Sequence, residues 1–231
     1  MSVPRCFALV PCAGVGSRAG GVGPKQYQPV NGQPLVWHTV RALEQVERLS
    51  AIWVVVSPDD TQFDTVLPDR SRRVRSARCG GASRAETVRN GLDALRDHGQ
   101  ANDDDWVLVH DAARCLVQPA WVNRLIDACL DDAVGGLLAL PLTDTLKQAH
   151  DGRVQSTLSR QDKWSAQTPQ MFPLGLLRTA LAQIGPEVTD EASAVEALGL
   201  SPRLVRGDLC NIKVTWPEDF DLAARWLAHP G

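Results

Sequence analysis

Basic excess is missing from this sequence. Its 231 residues carry 24 Lys and Arg against 27 Asp and Glu, for a formal net charge of −3. A general nucleic-acid binder shows a basic stripe and a high isoelectric point. Any anionic ligand must therefore be held by a few local cations, which suits a small phosphorylated substrate better than a polymer. An apolar run of membrane-spanning length is also missing. Cys6 to Val10 is too short for a bilayer, lacks a cleavage pattern and meets a Gly-rich loop at once. The expectation is a soluble, cytoplasmic chain with neither membrane nor nucleic acid as partner. Cys6, Cys12, Cys79, Cys115, Cys129 and Cys210 contain no CxxC pair, so they read as reduced thiols rather than a disulfide framework or a zinc site. Internal repeats and low-complexity segments are absent too.

What is present fits an ordinary α/β domain. The apolar fraction of 44% and charged fraction of 22% lie near globular averages, and the length suits one domain over 1–231. Cys6–Pro11, Ala51–Ser57 and Trp106–His110 are continuous apolar runs of the kind parallel strands need when helices cover both faces; Arg73–Ala77 and Gly136–Leu140 are weaker examples. Between them lie amphipathic segments. Pro34 to Val46 places Val36, Val40 and Leu43 on one face. Ser83 to Arg96 opens on an S-x-x-E capping box and aligns Ala85, Val88, Leu92 and Leu95. Pro119 to Leu130 predicts a third helix. A last one starts at Thr215, with Glu218 as a second capping box, and carries Leu222, Trp226 and Leu227. This order predicts a doubly wound, mostly parallel, Rossmann-like sheet with its ligand at the carboxyl ends of the strands. Asp144 to Arg160 breaks the alternation. It reads as two polar strands around the Asp151-Gly152 turn, a protruding β-hairpin arm at about 142–160. Two strands alone are marginal in water, so the arm is expected to hook a second subunit and make a homodimer.

Val10–Gln28 is the most informative stretch. Gly14 and Gly16 let the backbone turn N–H groups toward phosphate oxygens, and Arg18 and Lys25 add positive charge beside them. Gly14 to Ala19 matches a dinucleotide fingerprint formally. However, Gly20, Gly21, Gly23 and Pro24 break the helix that should follow, and the expected acid is missing. A P-loop fails because Gln26 follows Lys25. A Gly-rich lid over a triphosphate remains, against a plain flexible loop with two solvated cations. Asp111, at the carboxyl end of the third strong strand, suits Mg²⁺; by itself it reads as a turn or cap residue. Lys213 follows the candidate strand Arg203–Arg206, and spacing does not choose between a surface lysine and a phosphate ligand. His38 and His110 lack partners at metal-ligand spacing and read as structural.

Taken in order, VPCAGVGSR with PKQY, then GGASRAETV, HDAAR, DTLK, TPQMF, TDEAS and NIKVT resemble the methylerythritol phosphate cytidylyltransferase family over about Val10 to Thr215. The resemblance implies transfer of CMP from CTP to a polyol phosphate with release of pyrophosphate, with Mg²⁺ as cofactor. It implies that Arg18 and Lys25 stabilise the transition state, that Cys12, Ala13, Gly14 and Gly16 line the CTP site, and that Gly81, Ala82 and Thr87 surround cytosine and ribose. It assigns Asp111 to the metal. It brings Arg114, Thr145, Arg160, Thr168 and Lys213 to the polyol phosphate, with Arg160 and Lys213 positioning it, and makes the arm a dimer contact that lends Thr145 or Arg160 to the neighbour's site. The chain departs from the family pattern at Ala19 (usually Met), Cys12 (commonly Ala), Ala82 (often an acid that meets the base) and Cys115 (usually Pro). Base contacts at Ala82 are therefore expected from backbone. A phosphate monoester, with a second pKa of about 6, is largely dianionic at neutral pH and needs no general base, so the lack of a catalytic His or carboxylate pair is consistent. The rival expectations are a cytidylyltransferase for ribitol 5-phosphate or another polyol phosphate, a CTP-binding regulator without catalysis, and a nicotinamide dehydrogenase, which the loop disfavours.

Overall fold

The computed structural model describes residues 4–14, 23–98, 101–184 and 189–228. Seven strands form the central sheet: β1 (Cys6–Pro11), β4 (Leu49–Val55), β5 (Val74–Ala77), β6 (Trp106–Val109), β7 (Gly136–Pro141), β10 (Trp164–Pro173) and β11 (Arg203–Arg206), in the order β11-β7-β10-β6-β1-β4-β5. Every neighbouring pair is parallel except those made by β10, which runs against both β6 and β7. The short pair β2 (Pro29–Val30) and β3 (Gln33–Pro34) stands apart.

Strand alternation explains why both faces are covered. Phe7 and Leu9 of β1 point to one side, where they join Val88, Leu92 and Leu95 of α3 (Arg84–Asp97) and Leu174 and Leu177 of α5 (Leu174–Gln183). Ala8 and Val10 point to the other side, against Val36, Val40 and Leu43 of α1 (Leu35–Glu44) and Val122, Leu125 and Ile126 of α4 (Pro119–Cys129). Successive strand residues face opposite ways, so a run apolar throughout is buried twice over. The expected doubly wound sheet is thus the observed one. At Gly91 the fit of α3 is close enough that a Cβ would sit 2.5 Å from a Val55 methyl.

Several local expectations are met and others corrected. The arm is present as β8 (Leu146–His150) and β9 (Arg153–Leu158). Asp151 and Gly152 both hold positive φ, 47° and 73°, as a two-residue turn with the strands' twist requires. Ser83 Oγ accepts the Glu86 N–H at 3.1 Å, but the Glu86 carboxylate reaches the Ala82 N–H rather than that of Ser83. The last helix, α7 (Pro217–Ala228), begins two residues later than expected. Its cap is Asp219, whose Oδ2 accepts the N–H groups of Thr215 (2.7 Å) and Trp216 (2.9 Å). Glu218 plays no part in that cap, and Thr215 donates instead to the Lys213 carbonyl. Within α7 the fully buried residue is Ala223, while Leu222 and Trp226 stay 43% and 44% exposed. The sequence reading also missed β10, α5 and the short α6 (Glu191–Glu196). All six cysteines are free thiols, four of them buried. Among the described residues no helix is long and apolar enough to cross a membrane.

Candidate active site

At the carboxyl ends of β1 and β6 lies a cavity of about 440 Å³, bounded by Cys12, Ala13, Gly14, Gly81, Ala82 and Thr87 among others. Two close approaches shape it. Gly80 packs so tightly that a Cβ would stand 2.2 Å from the Ala13 Cβ, which brings the loop before α3 against the end of β1. Gln26, in the 3-10 turn Lys25–Tyr27, donates its side-chain amide to the Cys12 carbonyl at 2.8 Å. This bond returns the chain to the strand end and sets Lys25 on the cavity wall. Lys25 Nζ donates to the Val214 carbonyl at 2.8 Å. The N–H groups of Gly81 and Ala82 are already taken, by Thr87 Oγ1 (3.1 Å) and Glu86 Oε2 (2.8 Å). Backbone recognition of a base there would therefore fall on carbonyl groups. Gly16 and Arg18 lie outside the described residues, as does the rest of the expected lid between 15 and 22.

Asp111 is the electrostatic centre. It is nearly buried, its Oδ1 accepts Arg84 Nε at 2.8 Å, and its Oδ2 accepts Lys213 Nζ at 2.7 Å. Burial alone would raise its pKa, but the Arg84 and Lys213 cations hold it well below the usual carboxylate range, so it is ionised. Beneath it runs a consistent hydrogen-bond chain. The Asp111 N–H donates to Thr168 Oγ1 (3.0 Å), the Thr168 hydroxyl faces His110 Nδ1 (3.0 Å), and His110 Nε2 faces the Arg114 carbonyl (3.2 Å). Burial lowers the His110 pKa to about 4. A neutral ring with its proton on Nε2 satisfies every partner. His110 is thus structural, as expected, and so is His38, which bonds the Val30 carbonyl.

Lys213 also borders a second cavity of about 440 Å³, lined by Arg114, Thr145, Gln167 and Asn211 together with residues of β7 and the loop after it. The structure thus gathers Lys25, Asp111, Lys213 and the predicted nucleotide residues from 12–14, 81–82 and 87 in one cavity. It places Arg114 and Thr145 in the adjoining one, with Lys213 between them. Thr168 lies under Asp111 and lines neither cavity. Arg160 is exposed at the base of the arm and lines neither within this chain. Two site residues escaped sequence reasoning. Arg84 is the first helical residue after the Ser83 cap, and its guanidinium also forks onto Glu191 (2.7 and 3.0 Å). TDEAS flagged the second segment without giving Glu191 a task.

Among the described residues no cluster of three or more His, Cys, Asp or Glu side chains is placed to hold a metal ion. One ionised carboxylate facing a triphosphate-sized cavity nevertheless suits Mg²⁺, which commonly takes one or two carboxylates plus substrate phosphates and waters.

A doubly wound sheet, a cavity of about 440 Å³ at its carboxyl ends and cations clustered around it define a nucleotide-binding α/β protein suited to phosphoryl-group chemistry. The profile of the family described as IspD, 2-C-methyl-D-erythritol 4-phosphate cytidylyltransferase, matches residues 6–229, and the chain belongs to that family. It is 55% identical over 221 residues to the 2-C-methyl-D-erythritol 4-phosphate cytidylyltransferase of Laribacter hongkongensis, covering 95% of this chain and 94% of that one. It is 58% identical over 222 residues to a bifunctional IspD/IspF enzyme of Albidiferax ferrireducens, covering 96% of this chain but 53% of that protein, so it spans about half of that relative. A crystal structure of 4-diphosphocytidyl-2C-methyl-D-erythritol synthase superposes with a TM-score of 0.87 at 42% identity, covering 97% of this chain and 99% of that one. The Francisella tularensis 2-C-methyl-D-erythritol 4-phosphate cytidylyltransferase (IspD) superposes with a TM-score of 0.81 at 30% identity, covering 96% and 99%.

Proposed function

We propose that this chain transfers the cytidylyl group of CTP to 2-C-methyl-D-erythritol 4-phosphate and releases pyrophosphate, a step in isoprenoid precursor synthesis. The carrying observation is Lys213, which bridges to Asp111 and borders both cavities. Family membership and the relatives' names support the choice of substrates.

In this reading CTP occupies the cavity of Lys25 and Asp111, and the acceptor phosphate occupies the cavity of Arg114 and Thr145. An oxygen of the acceptor phosphate attacks the α-phosphorus. A new P–O bond forms, the bond from the α-phosphorus to the bridging oxygen breaks, and pyrophosphate leaves with that electron pair. The acceptor is already dianionic near neutral pH, so no side chain needs to remove a proton. The barrier is repulsion between anions, and this chain meets it by positioning and positive charge. Lys25 faces the triphosphate, Arg18 is assigned to the same charge by the family resemblance alone, and Lys213 holds the acceptor phosphate beside it. Mg²⁺, with Asp111 as its protein ligand, would neutralise charge on the phosphates. Arg160 sits on the arm. The arm packs chiefly on itself and shows Val154 and Leu158 to solvent, so we assign it to a homodimer in which Arg160 serves the neighbouring site.

The test is pyrophosphate release from CTP and Mg²⁺ with 2-C-methyl-D-erythritol 4-phosphate against ribitol 5-phosphate. Release with the first alone is expected. Release with ribitol 5-phosphate alone, or with neither, refutes the assignment.

A further inference from the structure

Glu191 is a carboxylate with 1% exposure that lines neither cavity. Such a group costs desolvation that an apolar residue of the same size would not, so its surroundings ask for a reason. It is the first residue of α6, which Asp190 caps by accepting the Ser193 N–H, and a helix start favours negative charge. Both of its oxygens are engaged by one guanidinium: Arg84 Nη1 at 2.7 Å and Nη2 at 3.0 Å. The remaining edge of that guanidinium, Nε, donates to Asp111 Oδ1 at 2.8 Å. Asp111 Oδ2 takes Lys213 at 2.7 Å. Four charges therefore alternate through the site, two negative and two positive, and they sum to zero.

The two cations are not equivalent. Arg84 is gripped from two sides in a fixed fork geometry, while the Lys213 side chain is 40% exposed at the border of the two cavities. When Lys213 turns toward an anion, what remains at Asp111 depends on how far Arg84 is already neutralised. With Glu191 behind it, Arg84 is balanced and Asp111 keeps its own negative charge. Without Glu191, Arg84 would neutralise Asp111 instead.

We propose that Glu191 is a positioning residue which, by holding and neutralising Arg84, leaves Asp111 able to attract a divalent cation once Lys213 has moved to a phosphate. This inference rests on the transferase reading above and deepens it.

The test is calorimetric binding of CTP to the purified chain with and without Mg²⁺, in the absence of acceptor, so that no turnover occurs and the phosphate within reach of Lys213, which lines the nucleotide cavity as well, is CTP's own. For Glu191→Gln the expected result is a folded protein whose metal-free CTP affinity is unchanged or tighter, because the site has gained a positive charge. Its Mg²⁺-dependent gain in affinity should fall about tenfold, the scale of one charged hydrogen-bonded contact. Glu191→Asp, which restores the charge on a shorter arm, should recover part of that gain. If Glu191→Gln does not fold, Glu191→Asp carries the reading alone: its shorter arm grips Arg84 less well, so the Mg²⁺-dependent gain should fall by less than about tenfold while metal-free CTP affinity holds. Equal losses with and without Mg²⁺, or no loss in either, overturn the proposal. So does a wild-type chain that binds CTP without any Mg²⁺ gain, a result that leaves the transferase reading to the separate pyrophosphate assay.

Discussion

The two cavities that meet at Lys213 are built on different principles. The nucleotide side stands on parallel β1 and β6, whose residues Ala8 to Val10 and Val107 to Val109 are at most 1% exposed, and it is closed by backbone pressed against backbone at Gly80. The acceptor side stands on β7, the antiparallel β10 and loops, and the arm beyond it holds Arg160 away from both cavities. The described lining of the first comes entirely from the core domain. The second lacks Arg160 within this chain, and on the proposed homodimer a second copy would bring it there. Parallel architecture thus frames the nucleotide cavity, while the acceptor cavity leans on loops and an arm outside the core.

The largest effect should come from the charge on the nucleotide side. Lys25→Ala removes a cation from the wall of the nucleotide cavity and, on the proposed role, should lower turnover by at least about 100-fold, the scale seen when one oxyanion donor is lost. Its side chain reaches the Val214 carbonyl from the cavity wall rather than filling the core, so melting should change little. Near-normal turnover in a steady-state assay would break the assignment of that cavity to CTP.

Next in size is the arm. Val154→Asp places a charge on a side chain that is 65% exposed in the single chain. If the arm hooks a second copy, sedimentation should show monomers. CTP binding should persist, while transfer falls by about tenfold or more as Arg160 is lost from the neighbouring site. Monomers with full activity would place Arg160 outside the reaction, and an unchanged dimer would place Val154 outside the subunit contact.

A smaller effect is expected at the seam. Gly80→Ala inserts a Cβ 2.2 Å from that of Ala13 and 2.9 Å from the Val56 carbonyl oxygen. Overpacking of this kind costs about 1–3 kcal/mol, which thermal melting would register. CTP affinity should fall while the KM for the acceptor holds, which would separate the two cavities experimentally.

The contrast also explains what was legible in the sequence. The unbroken apolar runs of β1, β4 and β6 and the stripes of α1, α3 and α4 announced the doubly wound core, and with it the strand ends where Asp111 and the Gly-rich loop belong. β10 did not announce itself, because WSAQTPQMFP mixes polar residues with a proline. The ladder resolves this: its register breaks between Ala166 and Gln170, so Pro169 sits in the irregular stretch where no backbone donor is required. The Arg84–Glu191 pair was equally silent. Its members are 107 residues apart, and nothing in an S-x-x-E cap or a D-E pair names a partner across the fold. Asp219 took the cap expected of Glu218, with the helix starting at Pro217, two residues after Thr215. In each case the missed feature is a long-range contact or a local irregularity that periodicity does not encode.

The smallest effect lies at the opposite end of the sheet and serves as the control for all the others. Asp105, just before β6, accepts the Arg5 N–H and guanidinium and the Asn102 N–H, each at 2.8 Å. Burial would raise its pKa, but the Arg5 side chain and those backbone donors bring it below the ordinary value. A carboxylate lowered in the folded state contributes stability that is present above the unfolded pKa of about 3.9 and is lost as pH falls through the folded value. Asp105→Asn should therefore cost about 1–3 kcal/mol at pH 7, and the gap to wild type in urea unfolding should close as pH drops below about 4. CTP binding and acceptor KM at pH 7 should both stay at wild-type values, because the change lies at the amino-terminal end of β6 and the site at its carboxyl end. A gap that persisted in acid would mean that the loss comes from packing rather than from the ionised carboxylate. A drop in CTP affinity would mean that the two ends of β6 are mechanically coupled, and the nucleotide cavity would then be less rigid than its buried strands indicate.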